Sequence, residues 1–242
     1  MGQNALSIPP NGNIPLLMVH PLVLEIRAAL QESADPLKAP RMQAYMKSAM
    51  PYYGINMPEL RTIIRLVFDG EVMDCDLWRA TILELWRGAQ RREERYVAQN
   101  LLGSRKHRDC LTPADMPMLE EMVVTGAWWD HVDELAMAIG ELLRKFPKQM
   151  RPLMRKWSAD ANLWKRRVSI ICQLRFKRDT DLDLLYANIE PNLADRDFFI
   201  RKAIGWSLRQ YAWTDPQEVA RYVRANEARL SGLSKREALK NI

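Results

Sequence analysis

The segment DFFIRKAIGWSLRQYAW, residues Asp197–Trp213, carries the pattern that decides the fold. At 100° per residue, one side of this helix is apolar, while cations and tryptophans interleave on the opposite side. The apolar side holds Ile200, Ile204, Leu208 and Tyr211, and the opposite side holds Lys202, Trp206, Arg209 and Trp213. The second side suits a nucleic-acid backbone or a cationic base. The alternative is that a neighbouring helix covers its tryptophans.

The opening of this segment has two counterparts upstream, and each of the three combines an aromatic opening with an apolar helix. They are Trp128–Asp133, Leu163–Arg167 and Phe198–Arg201. Asp133, Arg167 and Arg201 follow one another at intervals of 34 residues, the length of a helix-pair repeat. We therefore expect an α-solenoid in which Asp133 and Arg167 face the same surface. A coincidental spacing within a helical bundle is the alternative.

The rest of the chain also reads as helical. From Leu22 onward apolar residues recur every three or four positions, and convincing strand patterns are missing, so we expect an all-α fold of about a dozen short helices. Three segments place a cap residue three positions before a carboxylate: Thr112–Asp115, Asp215–Glu218 and Ser234–Glu237. Residues 1–20 are predicted to be a poorly ordered leader, and residues 21–242 a single domain.

Composition restricts the class of protein. The chain has 242 residues, 48% hydrophobic and 27% charged, and no apolar stretch of membrane-spanning length, which indicates a soluble, cytoplasmic protein without membrane association. Its cysteines, Cys75, Cys110 and Cys172, are odd in number and far apart. This pattern argues against disulfides and against a cysteine-rich zinc site, so we expect core thiols.

Positive charge is concentrated towards the C-terminal end. Residues 1–140 carry 14 basic and 18 acidic side chains, whereas residues 141–242 carry 22 and 12. Such an asymmetry suits a polyanion such as nucleic acid, although a solvated face with scattered cations is the alternative. Lys235 and Arg236 are predicted in the first turn of a helix, where free backbone N–H groups also favour a phosphate.

The residues around the repeated positions are the candidates for chemistry. Trp129 and Asp133 share one flank of their helix, and a carboxylate beside a tryptophan can stabilise positive charge, position water or act as a base. An ordinary ion pair between Asp133 and Arg167 is the alternative. Arg167 lies within an apolar arc, which implies either a buried ion pair or a guanidinium in a groove. Phosphate-loop, dinucleotide, zinc-protease and serine-hydrolase motifs are missing, and no metal or cofactor is expected.

Several segments together resemble the AlkD-like DNA alkylation repair family of HEAT-like repeat DNA glycosylases. The resemblance covers roughly Ala39 to the C-terminus. The segments that carry it are Arg41–Lys47, Tyr53–Ile55, Pro58–Glu59, Glu84–Trp86, Trp128–Asp133, Asn162–Trp164 with Arg167, Phe198–Trp206 and Leu233–Ala238.

The resemblance implies a HEAT-like solenoid with a concave basic groove that hydrolyses the N-glycosidic bond of cationic N3- or N7-alkylated purines in duplex DNA without base flipping. It puts the catalytic carboxylate on Asp133, the lesion-side tryptophans on Trp129 and Trp206, and the groove arginine on Arg167. The expected DNA contacts further include Tyr45, Lys47, Lys202, Arg209, Lys235 and Arg236. Lys165 and Arg166 add two cations beside Arg167, which departs from the family pattern.

The sequence thus predicts a monomeric, nucleoid-associated enzyme of base excision repair whose partner is double-stranded DNA containing alkylated purines. A non-catalytic helical-repeat protein that binds DNA structures or a protein partner is the alternative, because helical repeats often serve as adaptors.

Overall fold

The computed structural model describes residues 20–68 and 73–242, and every regular element in these ranges is helical. This confirms the predicted all-α class and the expected number of short helices. The α-helices are α1 Pro21–Glu32, α2 Ala39–Met46, α3 Met57–Phe68, α4 Cys75–Arg87, α5 Arg92–Leu102, α6 Met116–Gly126, α7 Trp129–Lys145, α8 Pro147–Ser158, α9 Leu163–Ile171, α10 Leu182–Ile189, α11 Phe198–Ala212, α12 Pro216–Ala225 and α13 Gly232–Ala238. The predicted leader, apart from His20, lies outside the described residues.

Two compact units make up the chain, Met1–Gly70 and Glu71–Ile242. In the first unit, α1 packs against α3, and both helices contribute fully buried aliphatic side chains. The single domain expected over residues 21–242 stays a prediction. Among the described helices, none combines the length and the apolar character that a membrane crossing requires.

Alternate helices pack against one another in the second unit. In the series α5, α7, α9, α11 and α13, each helix contacts the next, while α6, α8, α10 and α12 pack against their neighbours along the chain. The buried side chains of α7, among them Val132, Leu135 and Ile139, recur every three or four residues, as expected for a helix with one face in the core. This packing brings residues one repeat apart to adjacent helices.

The 34-residue spacing is visible in individual hydrogen bonds. The Tyr96 hydroxyl donates to Asp130 Oδ2 at 2.5 Å, and Arg167 donates to Asp133. In each case the donor and the acceptor residue are 34 positions apart. The prediction that Asp133 and Arg167 are neighbours is therefore confirmed. The α-solenoid and its concave basic groove stay predictions.

Two glycines allow close contacts between helices. A β-carbon at Gly140 in α7 would lie 2.2 Å from the carbonyl oxygen of Cys172, just after α9. A β-carbon at Gly205 in α11 would lie 2.5 Å from the β-carbon of Glu237 in α13. Any larger residue at either position would force the backbones apart.

Two of the three predicted helix starts are confirmed. Thr112 and Asp115 form a capping box, and the Asp215 carboxylate accepts from the Glu218 amide at 2.9 Å. The start predicted at Ser234 is wrong, because the hydroxyl of Ser231 caps α13 by accepting from the Ser234 amide. Ser234 is instead buried inside the helix, where its hydroxyl donates to the Arg201 carbonyl at 2.9 Å.

The expectation that all three cysteines are thiols is also wrong. Cys75, at the start of α4, forms a disulfide with Cys110, and only Cys172 is a free, buried thiol. Burial raises the pKa of Cys172 to about 12, which keeps it protonated and unreactive at neutral pH. The two bonded cysteines are 35 residues apart, close to one repeat, so the packing of successive repeats brings them together.

Reduction of this disulfide should destabilise the second unit. Closing a loop of this length in the unfolded chain corresponds to about 4 kcal/mol in the chain-entropy model. Denaturant unfolding with and without a thiol reductant measures the difference, and thiol titration of the unreduced, denatured protein should find one free thiol. The double variant Cys75→Ser with Cys110→Ser is the control, since reductant should leave its midpoint unchanged. An unfolding midpoint of the parent protein that is insensitive to reductant would contradict this prediction.

Candidate functional site

A buried ion pair forms the centre of the candidate site. Arg167 in α9 donates from Nε to Asp133 Oδ1 at 2.7 Å and from Nη2 to Asp133 Oδ2 at 2.8 Å. Its Nη1 donates to the carbonyl of Phe199 in α11 at 2.7 Å. The Arg167 side chain is 6% exposed and that of Asp133 is 17% exposed. Of the two interpretations of Arg167, the structure therefore shows the buried ion pair, and direct DNA contact by this residue stays a prediction.

The surroundings of Asp133 disfavour the ionised form of its carboxyl group. Burial raises the pKa of Asp133, the Arg167 guanidinium opposes this effect, and the negative charge of Asp130 adds to the increase. The pKa is above the ordinary value of 3.8 despite the bidentate ion pair. A carboxylate in such surroundings gains most when further positive charge develops nearby.

Both predicted tryptophans belong to the helices that hold this pair. Trp129 is the first residue of α7, one turn before Asp133, and its side chain is 37% exposed. Trp206 in α11 is partly exposed, and the centre of its ring lies 6.0 Å from Cζ of Arg167. The structure thus brings Trp206, Arg167 and Asp133 into one connected cluster.

The side of α11 that carries Trp206 also carries Lys202, Arg209 and Trp213, and we call these four residues the cationic stripe. Ile200, Ile204 and Leu208 are buried on the other side, as predicted. Trp213, which directly follows α11, is 72% exposed, so none of the described helices covers it. The covered-tryptophan alternative therefore fails at this position.

The two cations of this stripe share a carboxylate that the sequence analysis did not assign. Glu237 in α13 accepts from Lys202 Nζ at 2.8 Å through Oε1 and from Arg209 Nη1 at 2.8 Å through Oε2. One signal could have found this residue: Glu237 follows Ala203 by 34 positions. The repeat spacing thus places it against the middle of α11.

Lys165 and Arg166, near the start of α9, are held in ion pairs with other carboxylates. Lys165 pairs with Asp160 at 2.5 Å and with Glu120 at 2.7 Å, and Arg166 pairs with Asp195 at 3.0 Å. Their positive charges are thus matched by nearby carboxylates. The two cations that depart from the family pattern have structural partners.

Lys235 and Arg236 do not lie in the first turn of their helix, contrary to the prediction from sequence. Because α13 begins at Gly232, Lys235 is its fourth residue and its backbone N–H donates to the Ser231 carbonyl at 3.0 Å. The Lys235 ammonium donates to the Glu227 carbonyl at 3.2 Å, and Arg236 is exposed. Contacts of these cations with phosphate stay predictions, but they would not be assisted by a free helix N-terminus.

Tyr45 and Lys47 belong to the first unit. Both side chains are exposed, and Lys47 ends α2 in the left-handed conformation with φ of 50°. Among the described residues, no group of three or more histidine, cysteine or acidic side chains could hold a metal ion.

A second ion pair near the start of α7 was missed by the sequence analysis. Arg92 in α5 donates to both oxygens of Asp130, at 3.2 and 2.7 Å, and Tyr96 donates to the same carboxylate. Asp130 thus ties α7 to α5, whereas Asp133 ties α7 to α9. The first turn of α7, which presents Trp129, is fixed from both sides.

Replacement of Trp206 by alanine should cost little stability, because its ring is already partly exposed. We expect a loss below about 2 kcal/mol, compared with about 3–5 kcal/mol for Trp157→Ala, whose side chain is buried in the core. Denaturant unfolding of both variants measures this. Equal losses would show that Trp206 is a core residue and would remove it from the candidate site.

Comparison with known proteins identifies the family. A model of the family "DNA alkylation repair enzyme" matches residues 26–242. A solved structure described as a predicted DNA alkylation repair enzyme from Enterococcus faecalis is similar, with 30% identity and a TM-score of 0.75, covering 86% of this chain and 96% of the other. The search of curated proteins finds no match. The matched family model and the shared fold show that the chain belongs to the DNA alkylation repair enzyme family.

Proposed function

We propose that this protein is a monofunctional DNA glycosylase that removes cationic N3- or N7-alkylated purines from duplex DNA in base excision repair. The observation that carries the proposal is Asp133, a mostly buried carboxylate one helical turn after the exposed Trp129, with a pKa raised by burial. Alkylation gives the purine a positive charge and already makes it a good leaving group. The enzyme therefore mainly needs a negative charge near the reacting bond.

The reaction follows from this electrostatic arrangement. The bond between the purine N9 and the sugar C1′ breaks, and its electron pair leaves with the alkylated base, which thereby loses its positive charge. The sugar becomes oxocarbenium-like, water adds its oxygen to C1′, and the released proton goes to solvent or to a nearby base. Asp133 stabilises the sugar cation and orients the water.

Arg167 acts by positioning Asp133. Its two parallel hydrogen bonds fix the carboxylate plane, and its third donor anchors the pair to the Phe199 carbonyl in α11. Each carboxylate oxygen keeps a second acceptor site for water or substrate. Arg167 therefore orients the Asp133 carboxylate and still leaves it able to accept further hydrogen bonds.

The tryptophans supply aromatic faces for a cationic lesion. Trp129 is exposed on the Asp133 flank, and Trp206 lies against Arg167 in the same cluster. Attraction between a cation and a tryptophan face is worth about 0.5–2 kcal/mol. Recognition on these faces does not require extrusion of the base into a deep pocket, so we propose cleavage without base flipping, in contrast to most glycosylases.

DNA is held by its phosphates in this proposal. Lys202, Arg209, Lys235 and Arg236 contact the backbone on a concave surface of HEAT-like repeats, and Tyr45 and Lys47 add contacts from the first unit. Phosphate contacts fix the register of a protein on a duplex without reading its sequence. The protein acts as a metal-free, cofactor-free monomer in the cytoplasm, associated with the nucleoid.

Asp133→Asn tests the central role. The substitution keeps the size of the side chain but removes its charge, so single-turnover release of 7-methylguanine from duplex DNA should slow by about 10²–10³. Asp130→Asn is a matched control, because it also removes one carboxylate of a mostly buried ion pair on α7. Each variant should lose stability, since each leaves an arginine without its partner.

Assays below the melting temperatures of both variants separate these effects. Asp130→Asn loosens the first turn of α7 but keeps the Asp133 carboxylate, so it should lose far less turnover than Asp133→Asn, which should approach the spontaneous rate of depurination. A folded Asp133→Asn protein that excises at the parent rate would make Asp133 a structural partner of Arg167. An unmodified protein that binds duplex DNA without releasing any base would favour the non-catalytic alternative.

The acid limb of the pH profile should depend on Arg167. Turnover needs the Asp133 carboxylate, so the rate falls as the pH falls through its pKa, which burial raises. Arg167→Ala removes the opposing cation, and the limb should move to higher pH; Arg167→Lys, which keeps the charge, should restore most of the difference. Single-turnover rates, corrected for spontaneous depurination, measure this. An unchanged limb in Arg167→Ala would contradict the proposed ionisation.

A further inference from the structure

Glu237 occupies the place between two cations that flank Trp206. Lys202 is one turn before Trp206 on α11 and Arg209 is nearly one turn after it. Both cations reach the same carboxylate at 2.8 Å, one to each oxygen. Glu237 thus bridges the two cations, with one negative charge between two positive ones.

The carboxylate is placed there by close helix packing. The Glu237 β-carbon lies where a side chain on Gly205 would begin, so α13 crosses α11 at this point. The buried Ser234 hydroxyl, bonded to the Arg201 carbonyl, fixes the same helix one turn earlier. With its side chain 16% exposed, Glu237 remains within reach of solvent and of a ligand on this face.

The charge of Glu237 persists at neutral pH. Its hydrogen bond to Lys202 lowers the pKa below the ordinary value, and the positive charge of Arg209 acts in the same direction. Lys202 and Arg209 are themselves partly exposed. A DNA phosphate that approaches either cation therefore meets a carboxylate already bound to it.

We propose that Glu237 competes with DNA phosphates for Lys202 and Arg209 and thereby weakens the binding of duplex DNA. The inference rests on the proposed function only for its ligand, the DNA backbone. A carboxylate and a phosphate oxygen accept the same charge-assisted hydrogen bonds. In the DNA-free protein, Lys202 and Arg209 are therefore already bound by the Glu237 carboxylate in the way that a phosphate would bind them. Phosphate binding must break or share these ion pairs, which lowers affinity for every duplex, damaged or not.

Weaker binding to the DNA backbone suits an enzyme that must search undamaged DNA. Phosphate contacts supply most non-specific affinity, and their number sets its dependence on salt. Lys202 and Arg209 lie directly beside Trp206, so competition here acts where the lesion would be recognised. Glu237 would keep undamaged duplex from being held at this position by its backbone alone.

Glu237→Gln is the variant that tests the inference, because it removes the charge and keeps the shape. Affinity for an undamaged duplex is measured by fluorescence anisotropy from about 50 to 200 mM salt. The slope of log affinity against log salt should steepen by about 0.9 for each phosphate newly contacted, so the variant should bind about 3- to 10-fold more tightly at the lowest salt. The advantage should shrink as salt increases.

Glu190→Gln is the matched control. Glu190 also pairs with an arginine, Arg229, but on the exposed surface outside α11 and α13. Both substitutions raise the net charge by one, so a general charge effect would change both variants equally. The inference expects a clear increase in affinity for Glu237→Gln and a much smaller one for Glu190→Gln.

A second series keeps the inference testable if Glu237→Gln alters packing. In a background with Lys202→Ala and Arg209→Ala, the additional Glu237→Gln substitution should tighten binding no more than Glu190→Gln does. Tightening in this background that clearly exceeds the effect of Glu190→Gln, or a Glu237→Gln protein that binds with equal or lower affinity than the parent, would overturn the inference. The proposed glycosylase activity would stand in both cases. Parent protein without any salt-dependent duplex binding would overturn both proposals together.

Discussion

The bidentate ion pair between Asp133 and Arg167 is the interaction on which the candidate site depends. Removing two charges from water costs several kcal/mol for each ion, and only good geometry with further hydrogen bonds offsets that cost. Here the third arginine donor is satisfied by the Phe199 carbonyl, so α7, α9 and α11 are joined at one point. A small shift of any of these helices would leave a buried charge without its partner, and this requirement fixes the position of the carboxylate.

The repeat spacing makes such an interaction possible. Because each of α7, α9 and α11 contacts the next, residues 34 apart meet across a helix interface. Gly140 and Gly205 allow the backbones to approach closely enough for short contacts at these crossings. The same spacing joins Tyr96 to Asp130, so the start of α7 is held from both sides by polar contacts of the same origin.

The recurrence of apolar residues every three or four positions was enough to predict the helical class. The 34-residue repeat was enough to predict that Asp133 and Arg167 are neighbours. The disulfide was not predicted, although Cys75 and Cys110 are close to one repeat apart. The start of α13 was misplaced because Ser234 lies three positions before the carboxylate of Glu237, whereas the actual cap is Ser231 and the Ser234 hydroxyl donates to the Arg201 carbonyl. Single-helix angles cannot reveal that Glu237 pairs with both Lys202 and Arg209, because these ion pairs join two different helices.

Two carboxylates of this protein show how surroundings assign different chemistry to the same group. The side chains of Asp133 and Glu237 are exposed to nearly the same extent, 17% and 16%. Yet burial dominates for Asp133 and raises its pKa, whereas the hydrogen bond from Lys202 dominates for Glu237 and lowers its pKa. The first carboxylate is poorly stabilised and would gain from a developing sugar cation, so it suits catalysis. The second is well stabilised by cations already present, and therefore suits competition with a phosphate for those cations rather than a part in the reaction itself.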